Sequence, residues 1–105
     1  MITAHNKLVR DRIPDIIKSN GEKCEYRILS DDEYIAELEL KLKEEVDEYL
    51  ADKTIDELAD ILEVIYAIAK FNGINSTQLE FIRLNKYLSR GAFNKKYYLS
   101  QTESN

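Results

Sequence analysis

Glu57-Leu58-Ala59-Asp60-Ile61-Leu62-Glu63-Val64-Ile65-Tyr66-Ala67-Ile68-Ala69-Lys70-Phe71 is the most apolar stretch of this 105-residue chain, and it opens on acids. At 100° per residue, Leu58, Leu62, Ile65 and Ala69 share one side of a helix. Val64, Ile68 and Phe71 widen the apolar arc onto a second side. Glu57 projects between Val64 and Ile68, and Asp60 lies at the arc's edge beside Phe71. Asp56, Glu63 and Lys70 gather on the polar side. Two carboxylates therefore point where the pattern otherwise buries hydrocarbon. An ionised carboxylate buried without a partner costs several kcal/mol, so this helix needs either a local hydrogen-bond role for its acids or a cation.

Outward from this stretch, the chain reads as helices. Asn72-Gly73 is a left-handed terminator for the apolar helix. Thr54, with Glu57 three residues later, has the pattern of a capping box, the purely structural account of Glu57. Upstream, Ser30 with Glu33 makes the same pattern, and a helix is expected from Asp31 to about Ala51. Ile35, Leu38, Leu42, Val46 and Tyr49 form its core stripe. Downstream, a third long helix is expected from near Asn75–Thr77 to about Arg90, ended by Gly91. Residues 92–99 could pack back as an arm, and 100–105 read as a disordered polar tail.

Residues 1–24 read as irregular, with one short helix from Asp15 to Ser19 behind Pro14 and ended by Asn20-Gly21. Glu25 to Leu29 reads as extended, since a lone strand has nothing to pair with. The fold class is all-α: residues 1–99 form a single antiparallel helical bundle with short connections. The apolar arc of the middle helix exceeds what one thin domain covers. A homo-oligomer is expected to complete the bundle.

Composition agrees. Gly 3 and Pro 1 are too few for a turn-rich all-β chain, and 44% hydrophobic with 33% charged residues suits a soluble globule. A net charge of −5 argues against nucleic-acid or anionic-membrane binding but leaves room for a small phosphate ligand beside a divalent cation. Cys24 is the single cysteine, so no intrachain disulfide forms and a reduced, cytoplasmic setting is expected. Met1 to His5 lacks a basic segment followed by an apolar one, and no signal peptide is expected. Val64 to Ala69 is too short to span a bilayer.

On the first long helix, Glu45 falls within the core stripe, three residues after Leu42 and four before Tyr49. Glu48 follows one turn later on the same side, while Glu44 faces solvent or backs the others. Each helix then offers two inward carboxylates at i, i+3 spacing: Glu45 and Glu48, Glu57 and Asp60. Antiparallel packing across Asp52-Lys53 brings the pairs together. Four hard oxygen donors without Cys or usable His favour Mg²⁺ or Mn²⁺ over zinc. Arg83, Lys86 and Arg90 form a stripe at i, i+3, i+7 on the third helix. Like charges so placed repel unless they meet an anion, and phosphate is the natural one; a solvated or subunit-pairing face is the plainer alternative. Arg10 and Arg12 could add phosphate contacts. Tyr26, Phe93, Tyr97 and Tyr98 could stack on a base but are more often plain packing.

Glu44-Glu45-Val46-Asp47-Glu48 followed by Glu57-Leu58-Ala59-Asp60 resembles the EExxE…ExxD signature of the MazG-like all-α nucleoside triphosphate pyrophosphohydrolases. Lys7-Leu8-Val9-Arg10-Asp11-Arg12-Ile13-Pro14 and Arg90-Gly91-Ala92-Phe93 resemble the opening and closing motifs of its phosphoribosyl-ATP pyrophosphohydrolase-like subgroup. The likeness runs from Asn6 to about Leu99. The eight residues between Glu48 and Glu57 make a shorter gap than in many MazG proteins.

The resemblance implies a helical bundle, usually dimeric or tetrameric, that binds magnesium at Glu45, Glu48, Glu57 and Asp60. It implies cleavage of an NTP or dNTP between the α and β phosphates, giving a nucleoside monophosphate and pyrophosphate. On that reading Glu45 or Glu44 orients the attacking water, and Arg10, Arg12, Arg83, Lys86 and Arg90 take the phosphates. Two alternatives stand beside it: phosphoribosyl-ATP as the single substrate, in histidine biosynthesis, or a non-catalytic nucleotide-binding helical oligomer.

Overall fold

A computed structural model describes residues 1–104. Its order is α1 (Ile13–Ser19), α2 (Asp31–Asp52), α3 (Ile55–Phe71) and α4 (Ser76–Arg90), with no strand among the described residues. The all-α expectation holds. Among the described residues, no helix is long and apolar enough to cross a membrane. Residues 25–29 carry neither helix nor strand, and residues 100–104 are exposed without either; Asn105, the last position of the expected tail, lies outside the described residues.

The helix ends follow local chemistry. The Ser30 hydroxyl accepts from the Glu33 amide while the Glu33 carboxylate accepts from the Ser30 amide, a complete capping box. Arg27 donates two guanidinium hydrogen bonds to the same carboxylate. Together these hold the Glu33 carboxyl at about 2. The start of α4 is fixed by Asn75 and Gln78 in the same reciprocal way. The box expected at Thr54 and Glu57 does not form, because Thr54 makes no side-chain cap bond. We expect Ser30→Ala or Asn75→Ala to cost about 1 kcal/mol in denaturant unfolding, and Thr54→Ala to cost only a few tenths.

The α2–α3 hairpin carries the packing. Lys53 turns the chain in the left-handed region at φ 59, so only Lys53 and Thr54 separate the two helices. At the far end Tyr34 of α2 meets Phe71 of α3 edge to face, with ring centroids 6.0 Å apart, so the two helices run antiparallel along their whole length. Ile35, Leu42, Val46 and Tyr49 are half-buried and Leu38 is buried at 3% exposure, as the α2 stripe predicts. From α3, Val64 is buried and Ile61, Ala67 and Ile68 half-buried, while Leu58, Leu62 and Ile65 stay exposed. The apolar side of α3 that carries Leu58, Leu62 and Ile65 is thus largely uncovered by the described residues.

The expectation of three helices packed side by side needs correcting. α4 touches α3 but does not reach α2, and all its residues but Leu79 are exposed. The arm at residues 92–99 does not pack back: Phe93, Tyr97, Tyr98 and Leu99 are all exposed. The radius of gyration is 18.8 Å, against about 13 Å for a compact chain of this length.

Candidate metal centre

The hairpin turn brings three of the expected carboxylates together. Glu45 of α2 and Glu57 and Asp60 of α3 each offer one oxygen, all within 4.8 Å of one another. Helical geometry explains the match. Glu57, Asp60, Val64 and Ile68 fall on one face of α3, and that face meets α2 along the stripe holding Glu45. Without a Thr54 capping box, the Glu57 carboxylate is not spent on its own helix end.

Acids cluster on many surfaces without holding anything, so the state of Glu45 is decisive. It is buried at 7% exposure. Lys41, one turn back, places its ammonium 3.3 Å from Glu45 Oε1. The other oxygen, Oε2, is buried and has no hydrogen-bond partner. A buried, unpartnered carboxylate oxygen costs more than a lost hydrogen bond, and a cation on the neighbouring acids would remove that cost. An oxygen-only donor set suits a hard divalent ion.

The fourth expected ligand, Glu48, is exposed and is not part of this triad. It is nonetheless close enough to feel Glu45, whose neighbouring carboxylate holds the Glu48 carboxyl above the usual range. Glu57 is also pushed up, first by loss of solvent and then by Asp52, Asp60 and Glu45. Glu44 is half-buried, 3.8 Å from Lys41.

These shifts carry a sign. An acid whose pKa is raised on folding keeps its proton where the unfolded chain has lost it. Stability therefore falls as pH rises from the ordinary carboxylate range through the raised values of Glu48 and Glu57. Glu33 does not offset this, because its lowered value removes stability only toward pH 2. In EDTA the melting temperature should fall as pH rises above the ordinary carboxylate range, and a saturating divalent cation should abolish the drop. A melting temperature that climbs instead would count against the clustered-acid reading.

The basic residues divide. Arg10 donates through Nη2 to Asp60 Oδ1 at 2.7 Å and so joins the acidic cluster. Arg12 is the N-cap residue of α1 and is exposed. Arg83 is paired within its own helix, with Nη2 at 2.6 Å from Glu80 Oε1, which relieves the repulsion expected along that stripe. Lys86 and Arg90 are exposed, and α4 does not reach α2. One chain therefore does not bring Arg83, Lys86 or Arg90 to the carboxylates of the hairpin. The contact of Arg10 with Asp60, between residues 50 positions apart, had no signal in local periodicity.

The cluster lies on an open flank. A surface depression of about 430 Å³ is lined by Leu40, Lys43, Glu44, Asp47, Glu48 and Ala51, all on α2. Another, of about 600 Å³, sits at the α3–α4 turn beside Tyr66, Lys70 and Asn75. Neither encloses the triad.

No known family profile matches the chain, and no solved structure matches it. Over 50 residues, 48% of its length, the chain is 54% identical to an uncharacterized protein of Mycolicibacterium smegmatis. The match covers 51% of that protein, so the chain spans about half the length of this relative.

Proposed function

We propose that this chain is a magnesium-dependent nucleotide pyrophosphohydrolase of the MazG-like kind, cytoplasmic and homo-oligomeric, that converts an NTP or dNTP to the monophosphate and pyrophosphate. The observation that carries the reading is the triad of Glu45, Glu57 and Asp60 with the buried, unpartnered oxygen of Glu45. Mn²⁺ would serve as well as Mg²⁺, since both take oxygen donors. When bound, such an ion supplies Lewis-acid stabilisation of phosphate charge and acidifies water.

The remaining work falls to the side chains. Glu57 and Asp60 hold the cation from α3 and Glu45 from α2. Arg10, already at Asp60, is placed to meet a phosphate that the cation carries. Glu48 stands one turn from Glu45 and outside the triad, which leaves its carboxylate to accept a proton from water. It fits that role better than Glu45, whose Oε1 faces Lys41. Glu44 is the other candidate to orient that water. Arg12, Arg83, Lys86 and Arg90 could contribute to phosphate binding only after the chain assembles with other copies or rearranges its N-terminal segment.

The test is pyrophosphate release from a panel of NTPs and dNTPs, with Mg²⁺ and with EDTA. Magnesium-dependent release is the expected result, and the panel names base and sugar. Release from phosphoribosyl-ATP alone would make the chain a pathway enzyme with the same chemistry. No release from any substrate, in a protein that still binds nucleotide or self-associates, would make it a non-catalytic module.

A further inference from the structure

Two cations attend the acidic cluster, and they are held differently. Lys41 belongs to the same helix as Glu45, and its side chain is four-fifths buried. Arg10 lies outside any helix, and its side chain is more than half exposed. It makes a single hydrogen bond to one carboxylate oxygen, unlike Arg27, which grips both oxygens of Glu33. Its main chain, by contrast, is tied down. The Arg10 carbonyl accepts from the Ile13 amide at the start of α1, and Leu8 and Ile13 on either side are half-buried. The guanidinium can swing while its root stays at the cluster.

A divalent ion and a guanidinium on the same Asp60 carboxylate repel each other. The cheaper of the two to move is the singly bonded, solvated Arg10. We infer that Arg10 is an exchangeable counter-cation of the cluster. A divalent cation that takes Asp60 displaces the guanidinium, which then reaches the phosphate oxygens of the anion that the cation carries. The inference rests on the metal-binding reading of the triad and adds to it an order of events: Arg10 opposes the bare cation and favours the cation with its phosphate. A planar fork of N–H donors suits phosphate oxygens as it suits a carboxylate.

The experiment is an Mn²⁺ titration of wild type, Arg10→Gln and Arg10→Lys, followed by titration of inorganic pyrophosphate at saturating Mn²⁺. Arg10→Gln should bind Mn²⁺ on the order of fivefold more tightly than wild type and pyrophosphate more weakly by a similar factor. Arg10→Lys, which keeps the charge, should stay near wild type for Mn²⁺. Equal or weaker Mn²⁺ binding by Arg10→Gln overturns the exchange and leaves Arg10 as a residue that only positions Asp60. Tighter Mn²⁺ with unchanged pyrophosphate overturns the phosphate half. If wild type and variants alike fail to bind Mn²⁺, the metal-binding reading itself falls, and the exchange with it.

Discussion

Glu57→Ala is expected to lose magnesium-dependent pyrophosphate release by on the order of a hundredfold or more while keeping its helices. The two halves of this result come from the same observation. Glu57 is one of three oxygen donors within 4.8 Å, so its removal leaves two, on separate helices, and a cation held by two carboxylates is poorly fixed. Yet Glu57 contributes no cap bond to α3. Its carboxyl is pushed up by burial and by Asp52, Asp60 and Glu45, so in the absence of a cation it opposes the fold. In EDTA the variant should therefore melt no lower than wild type. With magnesium, wild type should gain stability and the variant should gain little. A capping role for Glu57 predicts the reverse: activity nearly intact and stability lower by about 1 kcal/mol. Full activity in Glu57→Ala would sink the assignment. Circular dichroism beside the activity assay separates these outcomes in one preparation.

Ser30 and Thr54 show where sequence reading succeeds and stops. Both precede a helix, and both have Glu three residues later. One box forms and the other does not, because the pattern says which groups are within reach and not which partner they take. Glu33 finds Arg27 and Ser30; Glu57 faces Glu45 across the hairpin and Asp60 one turn along its own helix. The placement of Glu45 was legible for the same reason that Leu38 and Leu42 were: one 3.6-residue period sets all three on one stripe. Glu48 is one turn beyond, where the stripe has drifted to the flank, and a period cannot say whether a flank side chain turns in or out. The Asn75–Gln78 box was in plain sight as a helix start, although only the start was read. Arg10 on Asp60 joins segments with no periodic relation, so no window of sequence contains it.

The apolar face of α3 is the harder case. Periodicity identified Leu58, Leu62 and Ile65 as a face that needs covering, and nothing in this chain covers it. α4 adds Phe81, Ile82, Leu84 and Leu88, also exposed. The chain exposes 9898 Å², where a monomer of 12.3 kDa should expose roughly 6100 Å². The extended ends account for part of the excess, but they do not account for leucines on helices. An excess of this size exceeds the area a stable interface needs on each partner, about 800 Å². A period reports that a face is apolar; it does not say whether the cover comes from this chain or another copy.

Wild type is accordingly expected to run as a dimer or tetramer by light scattering, and Leu62→Arg to shift it to monomer with a large loss of stability. Leu62 sits at the middle of the exposed α3 face, between Leu58 and Ile65. Burying one such side chain is worth roughly 2 kcal/mol, and a C2 interface counts it twice. The introduced arginine would also be left without a partner among leucines. Because Leu38 and Val64 are the only buried hydrophobes among the described residues, folding and association should be coupled, and the melting temperature of wild type should rise with protein concentration. A wild type that stays monomeric, with a concentration-independent melt, would remove the oligomer from the proposal. The link to function can be read in the same experiment. The triad lies on an open flank, and the helix carrying Lys86 and Arg90 does not reach it within one chain. If a second copy closes that flank, dilution should lower pyrophosphate release along with the oligomer. If activity survives in the monomer, the hairpin and Arg10 suffice for the chemistry, and the apolar face serves stability alone.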